Sequence, residues 1–312
     1  MNLRFICVKL LRAILTVLIV LSFVFIVLRI SGDPIETLVG DEAEPHVVEY
    51  YQAKYGLDEP IHVQYLLYFQ GIFSGDLGFS FKDERDAIEV VAERIPKTLQ
   101  LGLASFAFGL LLGIPLGILA ALNRNTALDR FTMGFAVFGY SIPNFFLGIV
   151  LILVFAMWLR YLPSSGSGTW QHLIMPVITL GTAGAGSIAR FARSSMLEVL
   201  NKSYMRAATA KGVPWLRRIN WHALPNAAIP IVTIIGFRLG DLVAGSVVTE
   251  TVFAWPGVGR LLVTSVSSRD LAIVQAILIL VAITMVVANL LVDLIYGWID
   301  PRIRVSTAMD KE

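Results

Sequence analysis

The sequence carries a single cysteine, Cys7, in 312 residues. One thiol excludes an internal disulfide framework and any cysteine-based metal site. It lies too near the start to follow the apolar run of a signal segment, so it reads as a small apolar residue and not as a lipid-bearing one. Charge is scarce as well: Asp, Glu, Lys and Arg make up 15% of the chain, against about 25% in an average soluble domain. No G-x-x-x-x-G-K-[S/T] stretch occurs, so a phosphate-cradling loop of that kind is absent. There is no HExxH, and His46, His62, His172 and His222 are scattered. Nothing here supports catalysis by the chain itself. If ATP drives its work, another subunit has to bind it. Internal repeats and low-complexity segments are also missing.

What is present is apolar surface. Hydrophobic residues are 56% of the chain and the mean hydropathy is +0.72, which points to an all-α protein that crosses a membrane several times. The net charge of +2 says little, and its distribution says more. Arg4, Lys9 and Arg12 precede an apolar run from Ala13 to Leu28, read as an uncleaved first span because bulky residues continue to Ile30 without a small-residue cleavage site. Ser31 to Lys97 is the longest polar segment, with fourteen Asp/Glu against five Lys/Arg. It contains two patches of helical apolar spacing, and Gly32-Asp33-Pro34, Asp58-Glu59-Pro60 and Gly75-Asp76 mark turns.

Thr98–Leu122 is a charge-free second span, and Phe131–Leu159 a third, with a kink or tilt expected at Pro143 and Asn144. Arg160–Gln171 is a loop. Leu173–Ala189 is apolar and rich in glycine, which lets helices approach closely. Ala227–Val248 and Leu271–Leu291 complete six spans, separated by a polar loop, Thr249–Asp270, that holds the FAWPGVG turn. The distribution of Lys and Arg puts both termini, Asn123–Arg130 and Arg190–Pro225 in the cytoplasm, and the acidic segment outside.

One cytoplasmic stretch stands apart. Tyr204–Pro225 contains Arg206, Lys211, Arg217 and Arg218 and no acid. It begins as a helix former, breaks at Gly212 and Pro214, and resumes amphipathically. Its plainest reading is a loop that fixes topology and touches anionic lipid head groups. Two charged residues, Arg238 and Asp241, fall inside a span, where an arginine costs roughly 2.5–3.5 kcal/mol on insertion scales. At i,i+3 they can pair with one another, or they can face a water-filled path.

The residue pattern of Tyr204–Pro225 resembles the EAA loop of ABC-importer permeases. Ala207-Ala208, then Gly212, then Leu224-Pro225 stand at that family's spacing. Arg206 stands where the family generally has glutamate, and His222 where it has isoleucine. Further matches in order are Ser31-Gly32-Asp33-Pro34, Gly56–Pro60, Gly75–Gly78, Arg94–Leu99, Ser141-Ile142-Pro143, Glu250–Arg260 and Asp300–Arg304. Together these resemble permeases of the dipeptide/oligopeptide/nickel group, with a lean toward the glutathione-type members.

The resemblance implies a type I ABC importer permease fold of six transmembrane helices with a helical periplasmic segment after the first. Residues 1–30 would be the first helix and 31–97 the periplasmic segment. Residues 98–300 would be a five-helix core with a coupling loop at 194–225, and 301–312 a cytosolic tail. It also implies a bacterial inner-membrane location, a second homologous permease subunit, two ABC ATPase subunits carrying ATP and Mg, and a periplasmic substrate-binding protein, with no cofactor on this chain and no nucleic-acid partner. ATPase coupling would involve Arg206, Ala207, Ala208, Lys211, Gly212, Leu224 and Pro225. Substrate would pass Arg238 and Asp241, and Glu250 and Trp255 would border the periplasmic mouth. The cargo would be a short peptide or glutathione, with a nickel complex as the alternative. A secondary transporter should show paired inverted repeats, and a membrane scaffold leaves the Ala-Ala…Gly…Leu-Pro spacing unexplained.

Overall fold

The computed structural model describes residues 3–30, 44–80, 82–244 and 246–299, without the side chains of 3–6, 28, 51, 54–55, 229, 233, 237–244 and 291–299. The Ser31–Pro34 and Asp300–Arg304 motifs and the tail lie outside the described residues. In chain order the helices are α1 (Leu3–Ile30), α2 (Pro45–Tyr55), α3 (Ile61–Ser74), α4 (Ala87–Leu122), α5 (Ala127–Ser141) and α6 (Asn144–Leu151), the last continued as a π-helix over Ile152–Trp158. Then come α7 (Gln171–Leu200), α8 (Ser203–Ala210), α9 (Trp215–Arg217, π-helical through Arg218–Ala223), α10 (Leu224–Ala244), α11 (Val247–Val252), α12 (Val258–Ser267) and α13 (Leu271–Ile299). Among the described residues the only strands are β1 (Phe79–Ser80) and β2 (Arg85–Asp86), antiparallel with Ser80 opposite Arg85.

Among the described residues four helices are long and apolar enough to span: Cys7–Val27 within α1, α4, α7, and Leu271–Leu290 within α13. The expected third span is not one kinked helix. It is the pair α5 and α6, bent by 103°. Proline removes a backbone donor and drives its predecessor out of the α region; Ile142 accordingly sits at ψ 124 and Pro143 at ψ 134. The fifth expected span, Ala227–Val248, overlaps α10, 21 residues long, while its last residues, Val247 and Val248, fall in α11. Two boundaries also move. α4 starts at Ala87, so the polar segment ends in the stem of a 36-residue helix, about 54 Å long where the hydrocarbon core needs about 30 Å. The stretch expected as a polar loop, Thr249–Asp270, folds into α11 and α12.

The chain forms two compact units. One comprises Arg4–Leu99 with Pro256–Val287. Its core joins Ala87, Val90 and Val91 of α4, Val258 of α12, and Ala272, Ile273, Ala276 and Ile277 of α13. Buried polar groups are satisfied across long sequence gaps. Ser80 Oγ donates to Asp270 at 2.5 Å, and the same carboxylate accepts the Ile273 N–H at 3.2 Å, capping α13. Thr98 Oγ1 accepts the Val258 N–H at 2.8 Å. Gly78 has φ +103, and a Cβ there would lie 3.1 Å from the Ala272 methyl, which gives the Gly75–Gly78 stretch a packing reason. On the same unit Tyr65 and Tyr68 of α3 pack on Phe25 of α1 with ring centroids 5.3 Å apart in each case.

The other unit is built on Gln100–Trp255, with α7 as its most enclosed span, 56% buried over its apolar window. α4 and α5 reach α7 through glycines. A Cβ on Gly113 would lie 2.6 Å from the Ala185 carbonyl oxygen, and one on Gly117 would fall onto that of Ala189. On α5, a Cβ at Gly139 would meet the Thr182 carbonyl oxygen at 2.8 Å. The helices thus approach backbone to backbone, as small residues permit.

Candidate functional site

α7 leads through Asn201 and Lys202 into the stretch that the sequence marks out. Lys202, in extended backbone, precedes α8, and its ammonium meets Glu198 at 2.8 Å. That hydrogen bond and the carboxylate's charge hold the Lys202 pKa above its ordinary value. α8 ends where Gly212 takes φ +70. The Gly212 N–H reaches the Thr209 carbonyl at 3.0 Å and the Val213 N–H the Ala208 carbonyl at 3.1 Å, the two bonds of a Schellman ending, which favours glycine at this position. Pro214 then opens α9, and the Arg218 guanidinium donates back to Thr209 Oγ1 across the turn. The result is a helix-turn-helix, as expected from the Gly212 and Pro214 punctuation.

Apolar side chains clamp this loop on both sides of its turn. Met205 of α8 and Ile219 and Ala223 of the π-helical segment join Ala121 of α4, Met196 and Val199 of α7, and Ala227 of α10 in one buried cluster. The turn between the clamps faces outward. Arg206, Ala207, Lys211, Gly212 and Pro225 are exposed, while Ala208 and Leu224 are half-buried. Three large apolar side chains that sequence reasoning passed over are exposed beside them: Trp215 at 52%, Leu216 at 66% and Trp221 at 76%. A cleft of about 380 Å³ lies between Val213, Pro214, Arg217, Trp221 and His222. The signal for these was the density of tryptophan in a cationic stretch, which hydropathy averaging hides.

The remaining predicted residues do not join this loop. The backbones of Arg238 and Asp241 lie in α10, and their side chains fall outside the described residues. Glu250 and Trp255 come together, but as interior groups, each 0% exposed. Trp255 is therefore enclosed by protein. Ala254 at φ +47 turns the chain, the Trp255 N–H returns to the Glu250 carbonyl at 2.8 Å, and Phe253 packs under Gly148 of α6. The Ser246 hydroxyl donates to the Glu250 carboxylate at 2.9 Å.

One pair was missed altogether. Arg193 of α7 grips Asp129 of α5 in a two-pronged contact, Nε at 2.5 Å and Nη2 at 2.8 Å. Asp129 also accepts the Asn125 N–H at 2.9 Å, and its own N–H is 3.5 Å from Oγ1 of Thr126, the cap of α5. Its side chain is 6% exposed. The available signal was that Asp129 is the only acid in Asn123–Arg130, flanked by Arg124 and Arg130.

Two family models match along the chain. Residues 2–102 match the N-terminal model of binding-protein-dependent transport system membrane components, and residues 113–305 match the binding-protein-dependent transport system inner membrane component. The chain belongs to this permease family. The glutathione transport system permease protein GsiC of Salmonella paratyphi A (strain ATCC 9150 / SARB42) is 43% identical over 303 residues, covering 97% of this permease and 99% of the relative. The GsiC protein of Escherichia coli (strain K12) is 42% identical over the same coverage. Among solved structures, the inward-facing MetNI methionine ABC transporter superposes with a TM-score of 0.55 at 22% identity, over 68% of this permease and 96% of that chain. An amino acid ABC transporter with histidines gives 0.54 at 14% identity, over 67% and 94%. These two show the fold, that of a type I ABC importer permease. This permease is accordingly a membrane subunit of an ABC importer, and ATP hydrolysis lies on partner subunits. The secondary-transporter and scaffold readings fall away.

Proposed function

We propose that this permease imports a short peptide of the glutathione type, and that the Ala207–Gly212 turn is where an ATPase partner pushes. The observation that carries the second part is the clamped yet outward-facing turn. Its flanks are fixed to α4, α7 and α10 by Met205, Ile219 and Ala223, while its small residues and the Trp215, Leu216 and Trp221 side chains are exposed. Force applied to such a turn is passed to the ends of three helices. Small alanines and Gly212 allow close approach, and Arg206, Lys211, Leu224 and Pro225 frame the contact. The first part rests on near-complete coverage by relatives named for glutathione transport.

In this reading both termini and the turn face the cytoplasm. A homologous second permease subunit, two ATPases binding ATP and Mg, and a periplasmic binding protein complete the importer. Arg238 and Asp241 lie along the path, and Glu250 and Trp255 form the sealed wall behind its outer mouth. Proteoliposomes holding the assembled importer and its binding protein test the cargo. Labelled glutathione should accumulate with ATP; accumulation of longer peptides or a nickel complex instead would reject glutathione. In the same assay Arg238→Gln should lower uptake roughly tenfold or more, the loss of about 1.4 kcal/mol or more of transition-state stabilisation. Unchanged uptake with normal assembly would remove Arg238 from the path.

A further inference from the structure

α5 contributes none of the described residues of the cluster that clamps the coupling turn. Its long contact with α7 is made largely by small residues. Gly139 faces Thr182, and Gly186 faces Ala136. Small residues bring helices close but interlock little against sliding. The exception is at the start of α5, where the Arg193 fork holds the Asp129 carboxylate at 2.5 and 2.8 Å. A two-pronged guanidinium–carboxylate contact fixes orientation as well as distance, and Asp129 is nearly sealed from water. Arg193 lies three residues before Met196, which sits in the buried cluster with Met205. The grip is thus one helical turn from the clamp.

We propose that Arg193 and Asp129 are a positioning pair, the pin that makes α5 travel with the coupling turn. Displacement of α8 by the ATPase reaches α7 directly, and through this pin it also reaches α5 and the bend at Pro143. The proposal rests on the reading of Ala207–Gly212 as the ATPase contact. Without the pin, α5 would slip along the glycine seam, and hydrolysis would proceed without moving the α5–α6 elbow.

The test uses the assembled importer in proteoliposomes. Asp129→Asn keeps a carbonyl oxygen for the Asn125 N–H and loses the charge; Arg193→Lys keeps the charge and loses the fork. Both variants should retain the ATPase subunits on purification and still hydrolyse ATP. Uptake per ATP hydrolysed should fall roughly tenfold, a usual size for coupling between sites. A second readout separates a pin from a mere folding contact. Spin labels are placed by Leu128→Cys and Asn201→Cys in a chain carrying Cys7→Ser. Their separation should not change when the wild-type background is trapped with nucleotide, and should change in Asp129→Asn. Unaltered uptake per ATP in either variant would overturn the proposal, as would a label separation that changes in the wild-type background. If neither variant reaches the membrane, the wild-type label separation decides alone. Failure of the ATPase to co-purify with the unaltered permease would sink the underlying coupling reading instead.

Discussion

Gly212→Val is expected to abolish uptake while ATP hydrolysis by the assembled importer continues. Gly212 sits at φ +70, in the left-handed region that costs an L-residue about 1–2 kcal/mol, more for a β-branched one. Apart from its chain neighbours, no atom lies within 4 Å of where its Cβ would stand, so no packing contact opposes a side chain there. The open space is the approach to the turn. Two effects are therefore combined in valine, a strained backbone and an obstruction, and Gly212→Asn parts them. Asparagine tolerates left-handed backbone yet still fills the space. If asparagine uncouples as valine does, clearance for the partner is what matters. If asparagine transports normally and valine does not, the shape of the turn is what matters. Full coupling with valine would discard the turn as the point of contact. Uptake and phosphate release measured on one preparation give the answer.

The largest effect on folding is expected at the glycine seam. Gly117→Ala should strongly reduce the folded permease recovered from membranes, because its methyl would fall onto the Ala189 carbonyl oxygen and 2.7 Å from the Ala192 Cβ. Overpacking of this kind costs about 1–3 kcal/mol, and a carbonyl on a rigid helix cannot swing away as a side chain can. Removing the neighbouring methyl with Ala192→Gly should consequently fail to rescue it. Gly134 of α5 provides the contrast, since nothing lies within 4 Å of its Cβ position, and Gly134→Ala should leave recovery unchanged. Size-exclusion profiles and melting temperatures in detergent compare the variants. Equal stability of the Gly117 and Gly134 variants, or recovery by Ala192→Gly, would show that backbone approach is not what the seam requires.

The features legible in the sequence were those written in local order. Hydropathy runs placed the long spans, and Gly212 with Pro214 placed the turn between α8 and α9, because a positive-φ ending and a missing donor act on their immediate neighbours. Features made by distant partners were not legible. Arg193 meets Asp129 across 64 positions, and neither residue's surroundings in the chain announce the other. The FAWPGVG turn was legible in place, but the burial of Trp255 within it was not. The Ala254 turn sends that side chain inward, and composition is silent about that. The bend at Pro143 was legible in place but not in size. A proline predicts a disturbed helix, while the full 103° comes with Ile142 and Pro143 both in extended backbone between the two helices.

That bend bears on which side of the permease can touch lipid. α5 has 15 residues, a length of about 22 Å, too short to cross by itself a hydrocarbon layer about 30 Å thick. The last turn of a helix leaves carbonyl groups without partners along its own axis. At the elbow the Ile142 N–H meets the Phe138 carbonyl at 3.1 Å, and the Leu147 N–H meets that of Pro143 at 3.1 Å, but proline has no N–H to add. Acyl chains donate no hydrogen bonds, so irregular backbone at this depth is stable only against protein or water. An elbow of this kind within the hydrocarbon layer is therefore stable only where its open side meets protein or water, which makes the broken span a marker for the wet flank of a permease.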